Sequence, residues 1–207
     1  MFAAMQFDRA KLKAAILHTC RSCTPDRLGA VKMHKVLYFL DMIHYAHFAV
    51  PVTGAMYRKR PFGPTCVQLL PMLAEMEASG LIEIREVNFF GRRKKEYIAL
   101  QNEEAGVLNE SELALLDEVV DFVCEQNSAK SISDYSHQMP WEMVEFGEEI
   151  PYESALLLIP SPVSPKAFDA ASEGLNKIGH PRSKADTMDL PKLGAFRGRV
   201  LAAAGRS

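Results

Sequence analysis

Apolar positions along the first half of the chain recur with the spacing of helices. Residues 7–20 (FDRAKLKAAILHTC) place Leu12, Ile16 and Leu17 on one face. After a break at Cys23-Thr24-Pro25-Asp26, the segment KMHKVLYFLDMIHYAHF sets Met33, Val36, Leu37, Leu40, Ile43 and Phe48 on one side. Phe39, Met42 and Ala46 fall on the other. A helix apolar nearly all round belongs in the centre of a fold. Pro51 closes it, and VPVTGAMYRKRPFGP reads as a loop punctuated by Gly54, Pro61, Gly63 and Pro64. Residues 65–79 resume helical spacing, with Pro71 delaying or kinking the helix and Gly80 free to take positive φ beyond its end.

LIEIREV and KKEYIAL then alternate as two strands around NFFGRR, a hairpin. Asn109 with Glu112 forms a capping pair for a helix over 110–126, striped by Leu113, Leu116, Val120 and Val123. Ser131 with Asp134 reads as a second capping pair, for a short helix that stops before Pro140. These elements predict a mainly α fold: a compact domain of five or six helices with a small antiparallel hairpin or ribbon, winged-helix-like in part. From residue 161 the composition turns to Pro, Ser, Gly, Ala and basic residues, so the expected division is a domain over 1–160 and a flexible basic tail over 161–207.

Charge sharpens that division. Of 24 basic and 26 acidic residues, 8 basic and 4 acidic lie in 160–207, leaving +4 on the tail and −6 on the body. An acidic body argues against a dedicated nucleic-acid binder. The longest apolar runs, such as ALLLIP, are too short to span a bilayer. The first residues lack the pattern of a secretory signal. A cytoplasmic protein whose four cysteines stay reduced is therefore expected.

Read together, KVLYFLDMIHY (35–45), VPVTGAMYRKRPFGP (50–64), the GLIEI…KEYIAL hairpin and SAKSISDYSHQMPWE (128–142) resemble the Panacea domain of SocA-like antitoxins, a family of prophages and bacterial toxin–antitoxin operons. The resemblance covers roughly residues 7–157. It implies an antitoxin that neutralises a cognate toxin protein by direct binding, and one member of the family is an adaptor delivering its toxin to the ClpXP protease. The matching positions are Lys35, Tyr38, Asp41, His44, Gly54, Tyr57, Gly63, Pro64, Ser133, His137 and Trp141. No cofactor and no enzymatic activity are implied, and the basic tail lies outside the shared pattern.

Several clusters admit other chemistry. Lys35, Tyr38, Asp41 and Tyr45 share one helical face; they form either a partner-contact edge or a buried network that docks the 54–64 loop. Cys20, Cys23, His44 and His47 have a zinc-like spacing, yet core thiols and core histidines explain them better. Ser131, Ser133, Asp134, Ser136 and His137 resemble hydrolase residues, but no GxSxG elbow is present and capping accounts for the first and third. Trp141, after Pro140, reads as a packing anchor. Gly91-Arg92-Arg93-Lys94-Lys95 at the hairpin tip is the best case for a phosphate-touching wing, and a winged-helix DNA-binding regulator is the alternative function. Against it, residues 65–79 carry Glu75 and Glu77 and no basic residue. Asp117, Glu118, Asp121 and Glu125 form an acidic stripe, either solvated or able to steer a basic partner.

Overall fold

The computed structural model describes residues 6–89, 91–102 and 105–158. Helix α1 (Arg9–Ser22) starts where the Asp8 carboxylate accepts from the Lys11 amide at 3.0 Å, and buries Leu12, Ile16, Leu17 and Cys20. Helix α2 (Ala30–Phe48) is the axis of the molecule. Met33, Val36, Leu37, Phe39, Leu40, Met42 and Ile43 are all buried, because α2 packs against α1 and three later helices. It ends at Ala49, whose φ of 58° reverses the chain.

The 50–64 segment is more than a loop. Two short strands, β1 (Tyr57–Arg58) and β2 (Thr65–Cys66), pair antiparallel through Tyr57↔Cys66 and Arg58↔Thr65. The 147–150 segment joins the other edge of β1, with Lys59 N donating to Glu148 O at 3.0 Å and Ile150 N to Tyr57 O at 2.8 Å. Because Thr65 and Cys66 belong to β2, the next helix begins late: α3 spans Leu69–Ala78, with Pro71 in its first turn, where no amide is needed. Gly80 follows with φ 69°. Strands β3 (Ile82–Phe89) and β4 (Arg92–Ala99) form the second ribbon, longer than the sequence suggests, with pairs from Ile82↔Ala99 to Phe89↔Arg92.

Helix α4 (Glu110–Val120) carries the expected capping box of Asn109 and Glu112. It gives way at Asp121–Glu125 to a π-helical turn, so the expected 110–126 helix is α-helical for only part of its length. The carbonyls of Phe122 and Cys124 there are taken by Asn127 and by the buried Lys32 ammonium, both by side-chain donation.

One sequence expectation fails at α5 (Ala129–Tyr135), which does stop before Pro140 as expected. Its capping box is Ser128 with Ser131, one turn earlier than the Ser131–Asp134 pair, because a serine hydroxyl at the third helical position reaches the cap amide. Pro140 does not end a helix; it starts one, sitting in the first turn of α6 (Met139–Glu142), where its missing N–H costs nothing. A 3₁₀ turn at Tyr152–Ser154 leads into α7 (Ala155–Leu158) on the flank of α2. The described residues are thus mainly α, with two small antiparallel ribbons. No helix among them is long and apolar enough to cross a membrane. The tail expected over 161–207 lies outside the described residues.

Candidate functional site

Helix α2 buries Asp41 and, six residues earlier, Lys35, and each organises one end of the 50–66 segment. At the first, Asp41 is fully buried. Its carboxylate accepts from the Thr53 amide at 2.6 Å, the Thr53 hydroxyl at 2.5 Å, the Tyr57 hydroxyl at 2.8 Å and the Tyr152 hydroxyl at 3.1 Å. The two tyrosine hydroxyls also reach the carbonyls of Leu37 (2.7 Å) and Ala55 (2.6 Å). Each phenol has one proton for two acceptors. Burial pushes the Asp41 pKa above the ordinary aspartate value despite the surrounding donors.

Nearby, His44 Nδ1 lies 2.6 Å from the Val50 carbonyl and its ring packs on Phe48. Gly54 has φ 65° and lies against the backbone of Gln6 and Phe7, where no side chain would fit. Between the two charges, Tyr38 packs edge-on against Tyr57, its hydroxyl buried with no hydrogen-bond partner among the described residues.

At the second charge, Lys35 is 1% exposed, and its ammonium donates to the Pro64 carbonyl at 2.9 Å. Burial depresses its pKa to about 7, and no carboxylate opposes that shift. Gly63 closes over it with φ 88°; a methyl group there would overlap the Lys35 ammonium and the Ser136 hydroxyl and press on the His137 ring. The loop is pinned from α5 and α6. Ser133 Oγ donates to Phe62 O at 3.1 Å, and Trp141 Nε1 donates to Arg60 O at 3.1 Å. His137 stacks on Trp141 at 4.1 Å, and the Lys59 ammonium sits 4.2 Å from the centre of the indole. Burial is the main reason the His137 pKa is lowered, with Lys35 adding to it.

The positions singled out in the sequence thus sort into two groups. Asp41 and Tyr57 form the inner network with His44 and Gly54 beside it, Lys35, Gly63, Pro64, Ser133, His137 and Trp141 converge on the turn at 60–64, and Tyr38 packs between the two. For Lys35 and Asp41, the geometry is that of a network docking the loop. Sequence reasoning missed Thr53 and Tyr152, which complete the Asp41 shell, and Arg60, Phe62 and Phe146, which surround the turn. Tyr152 lies outside the motif segments, and no local pattern points to it.

The family comparison fits this arrangement. A model of the SocA-like antitoxin, Panacea domain, matches residues 33–142, more than half of the chain. The chain belongs to that family. No curated protein and no solved structure matches it. The Panacea match runs from the first turns of α2 to the end of α6, so it takes in the whole 60–64 turn and its supports. Tyr152 falls beyond it, although it completes the Asp41 network of this Panacea protein.

The remaining clusters find other partners. Cys20, Cys23, Cys66 and Cys124 are buried free thiols, and burial pushes Cys20 and Cys66 up to about 12. Among the described residues no group of three or more His, Cys, Asp or Glu side chains is placed to hold a metal. Ser136 Oγ donates to Ser133 O rather than to a base. On the acidic stripe, Asp117 bonds His18, Asp121 bonds Gln126 and Glu125 bonds Arg27. At the hairpin, Lys94 is held by the Pro25 and Asp26 carbonyls and Glu96, while Arg93 and Lys95 are exposed.

Proposed function

We propose that this Panacea domain neutralises a toxin protein in the cytoplasm by direct, non-covalent binding, with no catalytic step of its own. The observation that supports a binding surface is what surrounds the 60–64 turn. Phe62 is 70% exposed, Phe146 62%, Met143 57% and Met139 55%. They lie on one turn and on the short helix and loop that brace it. Large apolar side chains gathered on a rigid support mark an interaction surface more than scattered ones do. Methionines suit a surface that must adapt to its partner. The rigidity comes from Ser133, Trp141 and Lys35, each bonded to a backbone carbonyl of the turn.

Co-expression with the product of the adjacent reading frame tests the proposal: growth should be restored, and the two chains should co-purify. Phe62→Asp should abolish both while leaving the melting temperature unchanged. Rescue that survives Phe62→Asp would move the interface elsewhere, and rescue without a complex would favour repression of the promoter by DNA binding. Delivery of the toxin to a ClpXP-type protease is a further part of the proposal, supported by the family resemblance alone. It predicts that the toxin's half-life shortens when the antitoxin is present and lengthens when the protease is deleted.

A further inference from the structure

The last described stretch of the chain gathers carboxylates. Residues 139–158 hold Glu142, Glu145, Glu148, Glu149 and Glu153 and no basic residue. All five are exposed, and none forms a salt bridge among the described residues. The stripe on α4 differs, because Asp117, Asp121 and Glu125 already bond to His18, Gln126 and Arg27. On the neighbouring 58–60 segment, Lys59 is 8% exposed and spent on the Val144 carbonyl and the indole, while Arg58 and Arg60 make no salt bridge with the five. Interleaved with the carboxylates are the exposed Met139, Met143 and Phe146. Helix α7, which packs on α2 and α6, adds Leu156 and Leu157. The face is thus apolar and acidic together, and the described residues end on it, at Leu158.

The sequence beyond carries the complement. Lys192, Arg197, Arg199 and Arg206 are the only charged side chains in 192–207. Leu193, Phe196, Val200 and Ala204 recur among them at intervals of three and four residues, the spacing of one apolar face. Residues 159–191 lie between, a length of chain that can reach at most about 110 Å. That is ample for a return to the face it leaves. A contact within one chain needs little intrinsic affinity, because the tether supplies an effective concentration of roughly millimolar order.

We propose that residues 192–207 dock on the face formed by α6, the 143–149 segment and α7 of the same chain. Their cations lie against Glu142, Glu145, Glu148 and Glu149, and their apolar side chains over Met143 and Phe146. The contact stands on this complementarity of charge and apolar surface; its consequence rests on the binding reading above. A toxin that seats on Phe62, Met139, Met143 and Phe146 has to displace the segment, so the antitoxin carries its own competitor.

The test uses the full-length protein throughout. Arg197→Glu with Arg199→Glu, followed by backbone amide NMR at low salt, should shift the amides of 142–149 and the single indole N–H, that of Trp141. Bringing the parent to about 1 M salt, where the screening length is about 3 Å, should move the same signals the same way. Adding Glu142→Arg and Glu145→Arg to the tail variant restores opposite charges, and should return the signals of the unsubstituted residues toward their parent positions. The tail variant should bind the toxin roughly fivefold more tightly, since a few surface ion pairs hold the competitor in place. No shifts at 142–149, or shifts centred on the α4 stripe instead, would overturn the proposal. So would shifts that fade on dilution, which would assign the contact to a second copy. Weaker toxin binding by the tail variant would overturn it as well, by giving the segment to the toxin. The expected shifts and charge-swap rescue, with no toxin bound by either protein, would uphold the docking and sink only the toxin reading.

Discussion

Asp41 and Lys35 are both buried charges on one helix, yet the molecule treats them oppositely. Asp41 has four hydrogen-bond donors around it, drawn from the 53–57 segment and from Tyr152, nearly a hundred residues later. Lys35 has one acceptor, a neighbouring glycine, and a cleft. A fully satisfied buried polar network fixes one arrangement of the chain. A buried cation with a single acceptor is costly to fold. The inner end of α2 therefore reads as architecture, and the outer end braces the turn to which the proposed function assigns a partner.

The strongest way to break this comparison is at Asp41. Asp41→Ala strands the Thr53 amide and hydroxyl in the core and leaves the two phenols only their carbonyls, and each buried polar group left unsatisfied costs about 1–3 kcal/mol. Against a total of about 5–15 kcal/mol, that threatens the cooperative fold. Urea denaturation followed by circular dichroism should show it; a midpoint close to the parent's would remove the architectural role. Asp41→Asn separates charge from shape. A raised aspartate pKa means the folded state holds the proton more tightly than the unfolded one. Its stabilising contribution is complete below the unfolded value of about 3.9 and is lost as pH rises through the folded value. The parent should therefore lose stability over that window relative to Asp41→Asn. Parallel pH profiles for the two proteins would mean that folding leaves the Asp41 pKa unshifted.

Next in size is Gly63→Ala. Positive φ costs an L-residue about 1–2 kcal/mol, and the methyl would also displace Lys35 or Ser136. The expected result is a moderate fall in melting temperature together with loss of toxin binding, since the turn that presents Phe62 must shift. Trp141→Ala should cost less than the roughly 3–5 kcal/mol of a buried aromatic, because the indole is only partly covered. It forfeits a hydrogen bond, a stacked imidazole and a cation contact, so binding should suffer more than stability. The opposite ranking in thermal melts and pull-downs would make it a core anchor only.

How much of this was readable beforehand follows from how local each signal is. α2 was legible because its apolar periodicity runs around the whole cylinder, and the α4 cap because Asn109 and Glu112 sit three residues apart. The family positions were legible as segments, but which of them meet was not. Lys35 and Ser133 are brought together by the fold, through a turn whose glycine says only that φ is positive. β1 and β2 are two residues each, too short for alternation to register, and β1 depends on the distant 147–150 segment. The misplaced α5 cap shows the limit of a pattern: Ser131 fits a cap and also fits the third position of one, and only the chain's path chooses Ser128. Pro140 is the same ambiguity, since proline ends one helix and starts another with equal ease.

The smallest expected effect is the most discriminating one. Lys35→Met replaces an ammonium by an apolar side chain of similar length, in a site where burial already disfavours the charge. A lysine pKa lowered to about 7 means that, between there and the unfolded value of about 10.4, the unfolded chain binds a proton the folded chain does not. Stability from this group is complete above the unfolded value and lost as pH falls through the folded one. The parent minus Lys35→Met difference should therefore rise from neutral to alkaline pH. Taking the difference removes the opposing contribution of Tyr38, Tyr57 and Cys66, whose raised pKa values pull the other way in both proteins. Near neutral pH the variant should be as stable as the parent or slightly more so, because one hydrogen bond to Pro64 is exchanged for relief of a buried charge. Binding should fall all the same. A variant that keeps its stability and loses its partner would show that Lys35 is held in the fold for the turn it braces and the partner that turn meets. A variant that unfolds would show instead that the two ends of α2 are alike, and that the Pro64 carbonyl alone is reason enough for the lysine.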